Sequence, residues 1–240
     1  MIIYEGPSLL DGQQIVVIAT GIKSKSSNGK TGGMIQTWIL LRDIDPREAN
    51  KSGADYGICG DCPHRGKATT ALDKVLAAER TCYVILFQAP LNVWKTYHRG
   101  NYDRAVDSEA IAAVGKDRKV RLGSYGDPAA VPAYVWQALL SKSIGRTGYS
   151  HQSGLANADF VADIMMVSAD NLAMAQGAWA NGHRTFRVID SVDDMDANEV
   201  LCPASKEAGE RTNCENCGLC AGSSIQAKSI AIVAHGNGAK

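Results

Sequence analysis

Seven cysteines fall into two groups, three and then four, with none left over. The first group is Cys59, Cys62 and Cys82; the second is Cys202, Cys214, Cys217 and Cys220. An odd number of thiols suits a disulfide framework badly, so metal ligation is the better account. The run 214–220 is Cys-x2-Cys-x2-Cys, a spacing that turns three thiolates toward one centre, and Cys202, with eleven residues between it and Cys214, can close the set. Gly209, Gly218 and Gly222 help the backbone bend around it. Thiolates are soft ligands and suit zinc or iron–sulfur clusters. Structural zinc usually takes paired Cys-x2-Cys knuckles, whereas successive x2 spacings with a remote fourth cysteine look more like a cluster.

The first group is a knuckle, Cys59-Gly60-Asp61-Cys62, followed by Cys82 after nineteen residues. Three cysteines can hold three corners of a four-iron cluster and leave the fourth iron open to a small molecule. Alternatively His64 or His98 joins them in a tetrahedral zinc site. Cys82 also heads the apolar run 82–87, where it would simply pack in a core.

A chain of 240 residues can bury a full core as one domain. Lys+Arg and Asp+Glu balance at 25 each, so no global basic field draws nucleic acid. The start, Met1-Ile2-Ile3-Tyr4-Glu5-Gly6-Pro7, has neither a basic n-region nor a long apolar h-region. No apolar run approaches the roughly 20 residues of a membrane helix. A cytoplasmic location is expected, where thiols stay reduced.

Apolar, β-branched runs at 15–19 and 34–41 flank a polar, glycine-rich stretch at 23–33 and read as a hairpin with a long tip. In that tip Gly29-Lys30-Thr31 lacks the upstream glycine of a phosphate loop, since position 24 is Ser. Residues 69–80 read as a helix with Leu72, Val75 and Leu76 inward. From residue 118 strands and helices alternate. Strands are expected at 119–124, 147–151, 163–168, 184–189 and 229–234. Pro132 opens a helix with Val135, Trp136, Leu139 and Leu140 on its apolar face. Asp170 is the expected N-cap of a helix over 171–181, which Gly182 ends. Strand–helix alternation implies parallel βαβ units. No Gly-x-Gly-x-x-Gly follows a strand, so a Rossmann domain has no support. The expected fold is α/β: a partial (β/α) TIM-like barrel with an N-terminal β-hairpin and a C-terminal cysteine-rich metal-binding segment. Its parts are a β region over 1–58, the barrel-like core over 59–200, and the cysteine-rich segment with the last strand over 201–240.

Chemistry in such folds gathers at the carboxyl ends of the strands. Asp127, His151 and His235 each follow a predicted strand and are the candidate catalytic residues. Gly126-Asp127-Pro128 is also ordinary turn chemistry, and a lone histidine is more often structural. Arg121 and Arg187 lie within strands; pointing inward, they would bind a carboxylate, a phosphate or a cluster-bound cofactor. The acidic loop 190–196 lacks calcium-site spacing. Aromatic and basic residues interleave over 92–102, which suits an amphipathic helix and its exit turn better than base stacking.

Several of these motifs together resemble a family of bacteriophage and mobile-element proteins labelled as associated with rolling-circle replication. They are Asn28-Gly29-Lys30-Thr31-Gly32, Cys59-x2-Cys62, Cys82-Tyr83, Gly126-Asp127, Cys202-Pro203-Ala204-Ser205 with the Cys214/Cys217/Cys220 run, and Ile232-Val233-Ala234-His235. The likeness implies a phage-encoded protein acting in the host cytoplasm. More distantly, the three-plus-four division resembles radical S-adenosylmethionine (SAM) enzymes. Those combine a partial barrel, a three-cysteine 4Fe–4S cluster with one open iron, and often a cysteine-held auxiliary cluster. The likeness implies two iron–sulfur clusters, SAM as cofactor, an electron donor, and a small-molecule or nucleotide substrate. The chain departs from that pattern in having Cys-x2-Cys-x19-Cys for Cys-x3-Cys-x2-Cys, and it shows no Gly-Gly-Glu segment. The alternative is a zinc-stabilised phage protein that binds nucleic acid in replication.

Overall fold

The unbroken run Ile15-Val16-Val17-Ile18 is buried throughout, as a strand covered on both faces must be. It forms the centre of β2 (Gln14–Thr20), between β1 (Ile2–Pro7) and β3 (Ile35–Leu41), antiparallel to both. The expected hairpin is therefore β2–β3. A computed structural model describes residues 1–25, 28–152 and 158–234 of the chain. The further strands are β4 (Lys119–Tyr125), β5 (Gly145–Thr147), β6 (Tyr149–Ser150), β7 (Met166–Ala169), β8 (Thr185–Ile189), β9 (Glu199–Leu201) and β10 (Ser229–Val233). The helices are α1 (Pro46–Ser52), α2 (Tyr56–Cys59), α3 (Ala89–His98), α4 (Ser108–Gly115), α5 (Ala133–Leu140), α6 (Ala158–Ile164), α7 (Leu172–Ala180) and α8 (Cys214–Cys217).

The fold is mixed α/β with two five-stranded, parallel-rich sheets, ordered β1-β2-β3-β4-β5 and β6-β7-β8-β10-β9. β4 runs parallel to β3 and to β5, and every pair in the second sheet is parallel. Gly148 links the sheets. Its N–H donates to the Cys220 carbonyl (3.1 Å) and its carbonyl accepts from Met166 N–H (3.0 Å). A Cβ there would press on Leu122 and Met165 at 3.0 and 3.1 Å, so the crossing point has no room for a side chain. Among the described residues, no helix is long and apolar enough to cross a membrane.

α5 buries Val135, Trp136 and Leu139, and the Trp136 indole donates to the Pro128 carbonyl at 2.9 Å. α3 covers the aromatic–basic stretch and stacks Trp94 on His98, with ring centroids 4.0 Å apart. Three local expectations are corrected. Residues 69–80 are not helical: Leu72 is 98% exposed, and Lys67 and Ala78 exchange two backbone hydrogen bonds of 2.8 Å. A helix would hold those two residues about 16 Å apart. The strand expected from 163 starts at Met166, because α6 runs to Ile164. Asn171, not Asp170, caps α7, its side chain accepting from Met174 N–H at 2.9 Å.

Arg187 in β8 is buried against Glu199, which it meets with two nitrogens at 2.9 and 2.5 Å, and it also donates to the Asp194 carbonyl. Glu199 has no exposed side-chain surface. Removing one partner of such a pair strands the other charge in the interior. We expect Arg187→Met to cost about 3–5 kcal/mol of stability in urea unfolding. Adding Glu199→Gln should recover part of that loss.

Candidate metal centre

The first cysteine group sits over the carboxyl ends of β4 and β6. α2 ends at Gly60, whose φ of 54° is left-handed and whose Cβ would strike the Gln152 amide at 2.5 Å. That close approach lets Gln152 Nε2 donate to the Cys59 carbonyl (3.2 Å). Asp127 N–H donates to the Ile58 carbonyl at 2.5 Å and ties the same loop to β4. The turn Pro63–Arg65 follows Cys62, and the His64 carbonyl accepts from the N–H groups of Thr81 (3.1 Å) and Cys82 (2.9 Å). Cys82 is thereby brought back to the knuckle across nineteen intervening residues. Asp55, held by Asn50 and Arg65, lies beneath.

All seven cysteines are free thiols. Burial pushes the Cys59 thiol well up, and Asp55, Cys62 and Cys82 add to it. Burial also pushes Cys82 up, partly offset by Arg80. These groups sit near enough to repel one another as thiolates, so deprotonation needs a cation among them. Two buried donors point the same way. Tyr125 Oη and Arg80 Nε have no hydrogen-bond partner among the described residues. Burial raises the Tyr125 phenol well above its ordinary value, and Cys59, Asp55 and Cys82 raise it further, which places it beside the thiols. Buried donors are normally paired. The sulfur atoms of a metal–thiolate or iron–sulfur group are acceptors of the right kind for them, so the residues present fit such a group.

Asp127 is buried, and its role is to hold the backbone. Its Oδ1 accepts from Ala129 N–H (2.9 Å) and Ser150 Oγ (2.8 Å), and its Oδ2 from His151 N–H (2.8 Å). Burial pushes its carboxyl up against the pull of these donors. The expected catalytic use of Asp127 gives way to positioning, because its oxygens are engaged with the strand ends. His151 follows β6, and its Nε2 lies 3.2 Å from Asp170 Oδ1 and 4.0 Å from Cys62 Sγ. Burial opposes its protonation, but Asp170 and Cys62 outweigh burial and push the imidazole up to about 10. The His64 and His151 rings meet edge-on with centroids 5.8 Å apart. His98 instead pairs with the Arg42 carbonyl at 2.9 Å. His235 lies outside the described residues.

The second cysteine group spans the two sheets. Asn213 caps the single turn of α8, and Gly218 ends it in the left-handed region. Cys214 N–H donates to the Lys30 carbonyl (2.8 Å) ahead of β3, while Cys202 N–H donates to Ala231 in β10 (2.8 Å). Burial pushes Cys220 up to about 12, tempered by the Tyr149 hydroxyl, and Cys202 and Cys214 add to the rise. Burial raises Cys202 as well, with Cys214 and Cys217 contributing. Within neither group do three sulfurs approach to 4.8 Å of one another. Sulfur sits about 2.3 Å from zinc, so four thiolates on one ion would be closer than that. Arg121 of β4 lies between the groups. It is buried, donates to the Tyr83 hydroxyl at 2.8 Å, and stands 5.3 Å over the Tyr149 ring.

Arg187 is placed elsewhere, on Glu199, and takes no part in this centre. Asp170 and Tyr125 were seen at strand ends in the sequence but were given no role in the centre. Tyr125 ends β4 and Asp170 follows β7 directly, and that position was the available signal. No protein-family model, curated protein or solved structure matches this chain.

Tyr125→Phe removes an unpaired buried donor. In the metal-free protein it should be neutral or stabilising by up to about 1 kcal/mol. In the metal-loaded protein it should destabilise, so urea midpoints of the two forms move in opposite directions.

Proposed function

We propose that this protein is an iron–sulfur enzyme of the radical-SAM kind. Cys59, Cys62 and Cys82 would hold one 4Fe–4S cluster, and Cys202, Cys214, Cys217 and Cys220 an auxiliary one. The observation that carries this reading is the pair of orphaned donors, Tyr125 Oη and Arg80 Nε, beside a three-thiol set at the carboxyl ends of parallel strands. A partial barrel would place these strand ends around one mouth. Within each sheet three parallel strands, β3-β4-β5 and β6-β7-β8, lie in chain order.

Such a cluster, with one iron not held by cysteine, supplies an electron and a binding position for a cofactor such as SAM. The chain's own residues do the rest. Asp127 and Gln152 hold the cysteine loop on the strand ends. Tyr125 and Arg80 would donate to the sulfur atoms of a bound group, which would favour its more negative state. Arg121, charged at any physiological pH, places a cation between the two thiol groups.

Anaerobic purification with iron and sulfide analysis tests the reading. The wild type should carry both, with brown absorbance; stoichiometric zinc without sulfide would replace it with the zinc-stabilised binding protein. Cys217→Ser and Cys82→Ser should each remove about half of the sulfide-bearing iron. Reductive SAM cleavage should survive some loss in the first and be abolished in the second.

A further inference from the structure

We propose that His64, His151 and Asp170 bind one first-row divalent metal ion, at a site separate from the cysteine-held groups. Each residue offers a ligand atom, and these atoms lie within 4.8 Å of one another. No other three His, Cys, Asp or Glu residues among those described converge in this way. The ligands come from three segments. His151 and Asp170 immediately follow the neighbouring parallel strands β6 and β7, and His64 lies on the turn that covers them.

The local structure prepares each ligand. Thr81 Oγ1 shares a 2.8 Å hydrogen bond with His64 Nδ1, which fixes the ring and leaves Nε2 as the ligating nitrogen. Asn171 caps α7, so the Asp170 carboxylate is released from helix capping and faces His151. The side chains of His151 and Asp170 are 18% and 31% exposed, enough for an ion and its waters to exchange. Two imidazoles and one carboxylate suit Fe2+, Mn2+, Co2+ or Zn2+, and as a three-ligand set they leave positions open. Three converging protein ligands are more than the one corner a three-cysteine cluster leaves. Cys62 Sγ, 4.0 Å from His151 Nε2, makes the two sites neighbours. The ion site does not depend on the iron–sulfur reading.

Mn2+ is the probe, because thiolates bind it poorly. Anaerobically purified protein is titrated with Mn2+ and the free ion followed by electron paramagnetic resonance, with iron and sulfide measured on the same samples. We expect one Mn2+ per chain in the wild type and in Cys202→Ser. His64→Ala and the surface variant Asp170→Asn should each weaken binding at least about tenfold, with iron and sulfide unchanged. Wild-type protein that binds no Mn2+, or Asp170→Asn that binds it as tightly, overturns the proposal. So does loss of sulfide-bearing iron together with Mn2+ in both variants, since the trio would then belong to the cysteine-held group. Wild-type protein that lacks sulfide but binds Mn2+ in an Asp170-dependent way upholds the ion site and removes the iron–sulfur reading.

Discussion

Asp127 closes β4 with its carboxylate turned inward, and three separate pieces of chain meet on it. Its oxygens take the N–H of Ala129, the hydroxyl of Ser150 and the N–H of His151, while its own N–H reaches Ile58 in the cysteine loop. A buried carboxylate is tolerated only when its lone pairs are filled in this way. Gly126 makes the geometry possible: its φ is 82°, and a Cβ would lie 2.6 Å from that of Ile39. The placement of His151, and through it of everything that faces His151, follows from this one junction. Both cysteine-bearing and histidine-bearing residues are thereby set against the strand ends by main-chain contacts, independent of whatever they ligate.

The elements that were legible in the sequence are those whose own residues decide them. β2 holds a run of branched apolar side chains, β4 sets Val120 and Leu122 apart by Arg121, and α5 carries Val135, Trp136 and Leu139 at helical spacing behind a proline. The cysteine partition was equally plain as a pattern of spacing. What was hidden depends on partners far along the chain. Residues 69–80 have helical spacing, but Asn50 accepts from Ala77 N–H and Lys67 pairs with Ala78, so distant backbone groups override the local preference. Arg187 looked available for a ligand until β9 brought Glu199 alongside it. Asp170 read as a cap because Asp and Asn side by side are both good caps, and only the structure shows which one turns inward.

Arg121 shows how the two thiol groups share one electrostatic environment. Among the described residues no carboxylate pairs with it; its neighbours are the Tyr83 hydroxyl, the Tyr149 ring and the thiols of Cys214 and Cys220. Tyr83 follows Cys82, and Tyr149 bonds Cys220, so the guanidinium stands between the groups through a single aromatic on either side. A desolvated cation favours negative charge on each side of it. Charge added at one group is therefore felt at the other.

The order of strands has a consequence for how the protein is made. Each strand from β2 to β5 pairs with its predecessor, as do β7 and β8, so the growing chain can add strands to an edge already present as it leaves the ribosome. β6 starts the second sheet, and within that sheet β9 is the exception. It pairs with β10, which follows it, and Cys202 N–H donates to Ala231 of that strand. Cys59, Cys62 and Cys82 can meet once β4 and β6 are in place, whereas Cys202 is fixed only after β10 has been made. The N-terminal thiols are thus set in place before the later ones.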